Sequence, residues 1–169
     1  MAENPLPQLV RDLMTVGVVT CSPETPLIEL AQLILETSQE DIVVLEEGHA
    51  LGVVGQADLV KAFAHHDFQS LRARDVLREG VPQVPPDIPL TVAAQIMNDK
   101  GVRTLFLMHH ASGIEYPAAM ISYTHLLRWL AARDQSDLRD LGILAERQPP
   151  LERFFLKRDA ARRDNLGSG

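Results

Sequence analysis

The chain has 169 residues with a formal net charge of −7 at pH 7, and 46% of its residues are hydrophobic against 23% charged. This composition excludes an intrinsically disordered chain, and the acidity argues against broad nucleic-acid binding. The single cysteine, Cys21, excludes an internal disulfide framework and a cysteine-built zinc site. No stretch approaches the roughly 18 apolar residues of a membrane span and no signal-peptide pattern is present, so we expect a cytoplasmic location.

The first 130 residues contain an internal repeat with an offset of 63 positions. The segment "VRDLMTVGVVTCSPETPLIELAQLI" aligns without gaps with "ARDVLREGVPQVPPDIPLTVAAQIM". Because there are only two copies, the repeat predicts a pseudo-symmetric pair of small units and not a solenoid. The identical pairs include turn-forming residues at equal spacing: Gly17/Gly80, Pro23/Pro86 and Pro26/Pro89.

Each copy shows the same order of predicted elements, namely a short strand, a helix, two strands and a second helix. In the first copy Thr25 is the expected cap and Pro26 the expected first residue of a helix. Apolar residues at helical spacing follow, and each of these small units has only a marginal core, so the two copies must pack together. The further predictions are strands over 42–45 and 51–54, a helix from Asp58, a helix over 89–100, a strand over 104–108, a turn over 109–117, a strand over 118–121 and a helix over 124–132.

The charge changes character near residue 131, which marks a candidate domain boundary. Residues 1–130 carry 8 basic and 16 acidic side chains, whereas residues 131–169 carry 8 basic and 7 acidic ones. A helix start is predicted near Ser136, and a second helix is predicted in "LERFFLKRDAARRD" after Pro150. This tail either docks on its own module or on a dimer mate, or serves as an arm that binds a partner.

The repeat resembles the cystathionine-beta-synthase (CBS) domain pair, also called a Bateman module. The resemblance rests on "VRDLMT", "SPETPLIELAQLI" and "DIVVLEEGHALGVVGQADLV", with "ARDVL", "PPDIPLTVAAQIM", "GVRTLFLM" and "AAMISYTHLL" as their second-copy partners. It implies a mixed α/β (α+β) fold with pseudo-twofold symmetry, to which the tail residues add a predicted C-terminal helical extension. The boundaries we predict are 8–66 and 73–131 for the two CBS units and 132–169 for the extension, which is not part of the usual pair. The resemblance further implies two clefts for adenosine nucleotides and a disc-shaped homodimer.

The ligand motif of that family is Gly-apolar-apolar-Ser/Thr-x-x-Asp, which places a hydroxyl and a carboxylate at a strand-to-helix turn near ribose. The first copy keeps Asp58 but has Gly55 at the hydroxyl position, and the second copy keeps Ser122 but has His125 in place of the aspartate. We therefore expect ribose recognition at Asp58 and a degenerate second cleft. From the residues alone, Asp58 is equally explained by the helix dipole, and Ser122 and His125 by helix capping.

Two further family positions extend the candidate site. Arg103 stands where the family often carries a phosphate-facing Arg or His, whereas the first copy has Glu40 and Asp41 there, which would repel phosphate. Thr20 and Gln83 occupy the position that offers groups to the base. The alternatives are a solvated charge for Arg103 and a strand residue with local contacts for Thr20.

Other chemistry-bearing residues have simpler explanations. Adjacent histidines on a helix point about 100° apart, so one helix cannot chelate a metal through the pair at 65–66 alone. This pair is interpreted as exposed histidines at a helix end, and the pair at 109–110 as exposed histidines in a turn. Cys21 is expected to be a packing residue because no base can be placed beside it. The chain has no Walker loop, dinucleotide fingerprint or hydrolase triad, so we expect neither an enzyme nor a bound metal.

The sequence thus favours a regulatory module that senses AMP, ADP, ATP or a related adenosyl compound, with magnesium accompanying ATP. Ligand binding would change the packing of the two units or of dimerised modules and so modulate an unidentified partner. The alternative is a structural or interaction module whose clefts bind no ligand. A DNA-binding regulator acting through the basic tail is the third hypothesis, but no helix-turn-helix pattern supports it.

Overall fold

The computed structural model describes residues 6–65 and 67–140, with side chains described as far as Leu138. The tail helix predicted after Pro150 therefore lies outside the described residues. In the described part, none of the helices is both long and apolar enough to cross a membrane. The helices are α1 (Val10–Leu13), α2 (Leu27–Thr37), α3 (Gln56–His65), α4 (Ala73–Val76), α5 (Leu90–Lys100), α6 (Tyr123–Ala131) and α7 (Gln135–Asp140). The strands are β1 (Thr15–Val16), β2 (Thr20–Cys21), β3 (Asp41–Glu46), β4 (His49–Gly55), β5 (Arg78–Glu79), β6 (Thr104–Ala111) and β7 (Ile114–Ser122).

Helices α2 and α5 begin in the same way in the two copies. Pro26 and Pro89 are the N-cap residues, with extended backbone angles and no side-chain capping bond. Thr25, which we expected to cap α2, instead accepts a hydrogen bond from the backbone N–H of Ser22 at 3.2 Å. The predicted apolar stripe is buried on α2, where Leu27 and Leu30 are fully buried. The local pattern therefore predicts where the helices lie, while the N-cap of α2 is Pro26, one residue later than the expected Thr25.

The hairpin of the second copy is longer than the sequence predicts. The turn expected over 109–117 is wrong, since β6 continues to Ala111 and β7 starts at Ile114. His109 pairs with Tyr116 and His110 with Glu115 in an antiparallel register. The rings of His109 and Tyr116 lie 5.2 Å apart, which is a cross-strand contact of the kind that extends a ladder. This pairing explains why polar residues that look like a turn are extended here.

The two copies exchange their leading segments. The first sheet has the strand order β2-β3-β4-β5 and the second has the order β1-β7-β6. Strand β1 of the first copy thus pairs with β7 of the second, and β5 of the second copy pairs with β4 of the first. Equivalent backbone bonds hold both segments: the N–H of Val10 donates to Ile88, and the N–H of Ala73 donates to Thr25. The pair is therefore one interlocked unit in which neither copy completes its own sheet.

Three apolar clusters stabilise this arrangement. Val10 and Leu13 of the first copy are fully buried in the core of the second copy, and Ala73 is fully buried in the core of the first. A third cluster lies between the two sheets and contains Val43 and Phe106. Burying one such aliphatic side chain stabilises a fold by about 1.5–3 kcal/mol. The two sheets therefore face each other, and the exchanged segments add to the contact between the copies.

Candidate functional site

Asp58 lies in the first turn of α3, directly after strand β4. Its Oδ2 accepts a hydrogen bond from the backbone N–H of Gly55 at 2.8 Å. This contact satisfies one of the N–H groups that the start of a helix leaves without an intrahelical partner. The side chain is 16% exposed, so the carboxylate is close to the surface of a cleft but largely shielded from bulk water.

Arg78 joins Asp58 to a second carboxylate. Its Nε donates to Asp58 Oδ2 at 3.0 Å, and its Nη2 donates to Asp41 Oδ1 at 2.7 Å. Arg78 belongs to β5, the strand that crosses over from the second copy, whereas both aspartates belong to the first. Charge-assisted pairs of this kind are stronger than neutral hydrogen bonds, particularly where one partner is shielded from water. The bridge therefore connects the motif aspartate to the junction between the two copies.

The glycine in the first motif has a steric reason. A Cβ built on Gly55 would overlap Asp41 Oδ1 and would lie 3.2 Å from Arg78 Nη2. The carboxylate of Asp41 therefore occupies the space that a serine or threonine side chain would need. The absence of a side chain at position 55 therefore leaves room for the Asp41–Arg78 ion pair.

Two cavities share the Asp58–Arg78 pair, and both residues line both of them. We call these the inner cavity, of about 680 Å³, and the outer cavity, of about 300 Å³, and together they form the first cleft. The inner cavity combines apolar and polar groups from α3 and the segment before β5, and the outer cavity combines charged groups from both copies. The inner cavity is lined by Asp58, Lys61, Ala62, His65, Leu71, Asp75, Val76, Leu77 and Arg78. The outer cavity is lined by Glu40, Asp41, Gly55, Gln56, Ala57, Asp58, Arg78, Gly101, Val102 and Arg103.

The second motif forms a closed hydrogen-bonded cluster. The backbone N–H of Ser122 donates to His125 Nδ1 at 3.1 Å, and the Ser122 hydroxyl lies 2.9 Å from the same nitrogen. Because Nδ1 accepts a backbone N–H, the neutral ring carries its proton on Nε2, which donates to Thr15 Oγ1 at 2.7 Å. Ser122 and His125 are only 3% and 8% exposed. Thr15 comes from the exchanged strand β1, so this cluster is the counterpart of the Arg78–Asp58 contact.

Burial determines the charge of this cluster. Desolvation, with a smaller contribution from the nearby Arg128 guanidinium, lowers the pKa of His125 to about 4. The imidazole is therefore neutral at pH 7 and supplies no positive charge to a ligand. The second motif ties an exchanged segment to α6 through hydrogen bonds between uncharged groups.

The remaining predicted site residues fall in different places. Arg103 lines the outer cavity together with Asp58, so these two side chains from different copies share one cleft. Thr20 is half-buried in β2 and pairs with Val43, and it does not line either of the two cavities described above. Gln83 bridges to Phe106 in the second sheet and donates to Glu115 Oε1 at 3.5 Å. Of the six candidates, only Asp58 and Arg103 meet in the first cleft.

The cysteine and the histidine pairs give no further site in the described residues. Burial raises the pKa of the Cys21 thiol to about 11, so the thiol stays protonated at neutral pH. His110 Nε2 lies 3.8 Å from Glu115 Oε1 across the β6–β7 ladder. Among residues 6–65 and 67–140, no group of three or more metal-ligating side chains is close enough to hold a metal ion. His66 lies outside the described residues.

Sequence reasoning missed Arg78 entirely and interpreted Asp41 only as a group that repels phosphate. Neither residue belongs to the ligand motif, and they are 37 positions apart in the chain. The one sequence signal was the glycine at position 55, which stands where the family motif has a hydroxyl residue. Asp41 reaches that space through the β3–β4 pairing, in which it lies opposite Gly55, and Arg78 reaches it through the exchanged strand β5.

Comparison with known proteins identifies the family. The model of the CBS domain matches residues 10–65 and 73–132. No curated protein matches the chain. A CBS-domain containing protein, ATU1752 from Agrobacterium tumefaciens, has a similar structure, with a TM-score of 0.66 at 20% identity over 77% of this chain and 98% of that one.

Two further similar structures carry ligands. The CBS domain pair of protein MJ0100, in complex with 5′-methylthioadenosine and S-adenosyl-L-methionine, has a TM-score of 0.62 at 15% identity over 72% of this chain and 98% of that one. The CBS domain of a bacterial CNNM/CorC family Mg²⁺ transporter, in complex with ATP, has a TM-score of 0.58 at 18% identity over 73% and 87%. At such identities the similarity concerns the fold. Since the family model covers both copies of the repeat, this chain belongs to the CBS domain family and contains a CBS domain pair.

Proposed function

We propose that this protein is a non-catalytic regulatory module. It binds an adenosyl ligand in the first cleft, and this binding changes how the module acts on a partner. The observation that carries the proposal is the shared lining of the two cavities by Asp58 and Arg78. A carboxylate at the start of a helix is a suitable acceptor for ribose hydroxyls. The ligands of the similar CBS structures, S-adenosyl-L-methionine, 5′-methylthioadenosine and ATP, define the class.

The geometry supports a division of the ligand between the two cavities. The inner cavity has apolar walls from Leu71, Val76 and Leu77, which suit a flat base. The outer cavity has the charged side chains, which suit a 5′ substituent. The ribose then lies at Asp58, between the two.

Ligand binding at Asp58 acts on the junction between the copies. Ribose hydroxyls that donate to Asp58 compete with Arg78, which already donates to the same oxygen at 3.0 Å. Arg78 is on the exchanged strand β5, so its release or retention changes how the second copy is held against the first. A ligand shifts this packing only by the difference in its affinity for the two arrangements. This coupling is the route by which the module would regulate a partner.

A second copy of the chain is the proposed assembly partner. The pseudo-equivalent helices α3 and α6 expose apolar side chains on their outer faces: Val60 and Phe63 are 68% and 74% exposed, and Leu127 and Leu130 are 64% and 70% exposed. Large exposed apolar patches mark interaction surfaces in soluble proteins. Covering matching faces on two molecules gives the homodimer implied by the repeat.

Calorimetric titration and thermal-shift measurements with AMP, ADP, ATP, 5′-methylthioadenosine and S-adenosylmethionine test the proposal. At least one of them should bind, and Asp58→Ala should weaken it about tenfold or more, because a hydrogen bond to a charged group contributes about 1.5–3 kcal/mol. Gln83→Ala, which changes a residue that bridges to the second sheet, should have a smaller effect. Asp58→Asn retains an acceptor for the Gly55 N–H and separates lost binding from lost folding.

The rival hypothesis is an interaction module whose clefts bind no ligand. It is favoured by one observation: Asp58 Oδ2 already accepts hydrogen bonds from both Gly55 and Arg78. Under this hypothesis none of the five compounds produces heat or a thermal shift, and native mass spectrometry of freshly purified protein detects no retained small molecule.

A further inference from the structure

The outer cavity has an unusual balance of charge for a nucleotide site. Three carboxylates, those of Glu40, Asp41 and Asp58, line it together with two guanidinium groups, those of Arg78 and Arg103. Arg78 already forms ion pairs with Asp41 at 2.7 Å and with Asp58 at 3.0 Å. Glu40 and Arg103 are therefore the charged groups left to meet a ligand.

Glu40 has an acceptor that the described residues leave unsatisfied. Its Oε1 accepts a hydrogen bond from the Thr124 hydroxyl at 3.2 Å. Its Oε2 is buried and has no hydrogen-bond partner among residues 6–65 and 67–140. A buried carboxylate oxygen without a donor is unfavourable, and a ligand that brings a cation or an N–H donor to it relieves that cost. A phosphate group has the opposite effect, since it brings negative charge to the same wall.

Arg103 offers the complementary group on the same cavity. Its side chain is exposed, and its guanidinium forms no ion pair with a carboxylate of the described chain. The outer cavity therefore presents one uncompensated carboxylate and one uncompensated guanidinium. This pair matches a substituent that itself carries a positive and a negative group, such as the α-ammonium and α-carboxylate of an amino acid.

We propose that the first cleft selects an adenosyl compound whose 5′ substituent is an amino-acid thioether or sulfonium, in preference to one with a phosphate chain. Glu40 receives the cationic group and Arg103 the carboxylate. This inference rests on the proposed function, because it assumes that the ribose lies at Asp58. The inference gives Glu40, which lies outside the ligand motif, a role in ligand specificity.

Titrations of the full chain with S-adenosylmethionine, 5′-methylthioadenosine, AMP and ATP, the last with and without Mg²⁺, test the selection. S-adenosylmethionine should bind at least about tenfold more tightly than AMP or ATP, since like charges placed together disfavour the wrong ligand. 5′-Methylthioadenosine, which lacks the amino-acid part, should bind with intermediate affinity.

Glu40→Gln identifies the group responsible. The substitution keeps the size of the side chain and removes its charge, so it should weaken S-adenosylmethionine about tenfold, leave 5′-methylthioadenosine unchanged and improve AMP. Glu46→Gln, at the exposed far end of strand β3, which begins directly after Glu40, is the matched control and should change none of the affinities.

The outcomes separate this inference from the proposed function. If AMP or ATP binds more tightly than S-adenosylmethionine, with or without Mg²⁺, the charge selection is wrong while the adenosyl site stands. If Glu40→Gln affects all ligands equally, Glu40 supports the fold of the cleft and does not select its ligand, which also overturns the inference. If none of the compounds binds, both the inference and the proposed function fail.

Discussion

Restoring the family hydroxyl at position 55 should destabilise this protein, although the same residue is usual in related motifs. In Gly55→Ser the new Cβ overlaps Asp41 Oδ1, so the Asp41 carboxylate must move away from Arg78. The ion pair that is lost has a bond of 2.7 Å, and the Asp41 side chain is only 11% exposed. A hydrogen bond between charged groups in such a position contributes about 1.5–3 kcal/mol, so we expect a loss of about 2 kcal/mol.

The double variant Asp41→Ala/Gly55→Ser tests the mechanism of that loss. Asp41→Ala alone also breaks the ion pair and should cost a similar amount, about 2 kcal/mol. The Asp41→Ala substitution also clears the space beside position 55. Adding Gly55→Ser to it should therefore lower the free energy of unfolding by less than about 0.5 kcal/mol. The interaction energy between the two sites should therefore be about 1.5–2 kcal/mol.

Chemical denaturation monitored by circular dichroism gives the four free energies of unfolding that the cycle needs. In a chain of this size a loss of 2 kcal/mol corresponds to a decrease in Tm of about 4–8 °C, which calorimetry detects. Ala57→Ser, at an exposed position in the first turn of α3, is the control and should leave Tm almost unchanged. If the costs of Gly55→Ser and Asp41→Ala add without an interaction term, the carboxylate does not occupy the space of the missing side chain, and the steric argument is refuted.

Two further predictions concern the second motif and the outer helices. The pKa of His125 is lowered from 6.5 to about 4 in the folded protein, so the unfolded chain binds the proton first and stability falls as the pH decreases from about 6.5 to 4. The loss should reach an order of magnitude of about 3 kcal/mol at pH 4, measured by urea denaturation, and should be absent in His125→Gln; an unchanged pH profile in that variant would rule out the histidine as its source. Phe63→Glu should convert a dimer into a monomer in light scattering, whereas Ile114→Glu, at the far end of β7 from α6, should not; a chain that is monomeric before any substitution contradicts the dimer.

The local pattern of the sequence was sufficient to predict the duplication and most of the elements. Proline at positions 26 and 89 and the apolar residues that follow at helical spacing specify α2 and α5 within a few residues of chain, so no distant contact is needed to recognise them. The long β6–β7 hairpin was not predicted, because its extension depends on cross-strand partners such as His109 and Tyr116 and not on the propensity of either strand.

The amino-acid sequence by itself was sufficient to recognise the CBS pair and its two unequal ligand motifs, because each motif consists of seven consecutive residues. Only the tertiary structure decided what surrounds those motifs. Strand β5 carries Arg78 into the first copy and strand β1 carries Thr15 into the second, so the partners of Asp58 and His125 come from the other half of the chain. Arg103 of the second copy also lines the outer cavity beside Asp58. Pairing between exchanged strands is a long-range choice set by the packing of two cores, and no local sequence pattern encodes it.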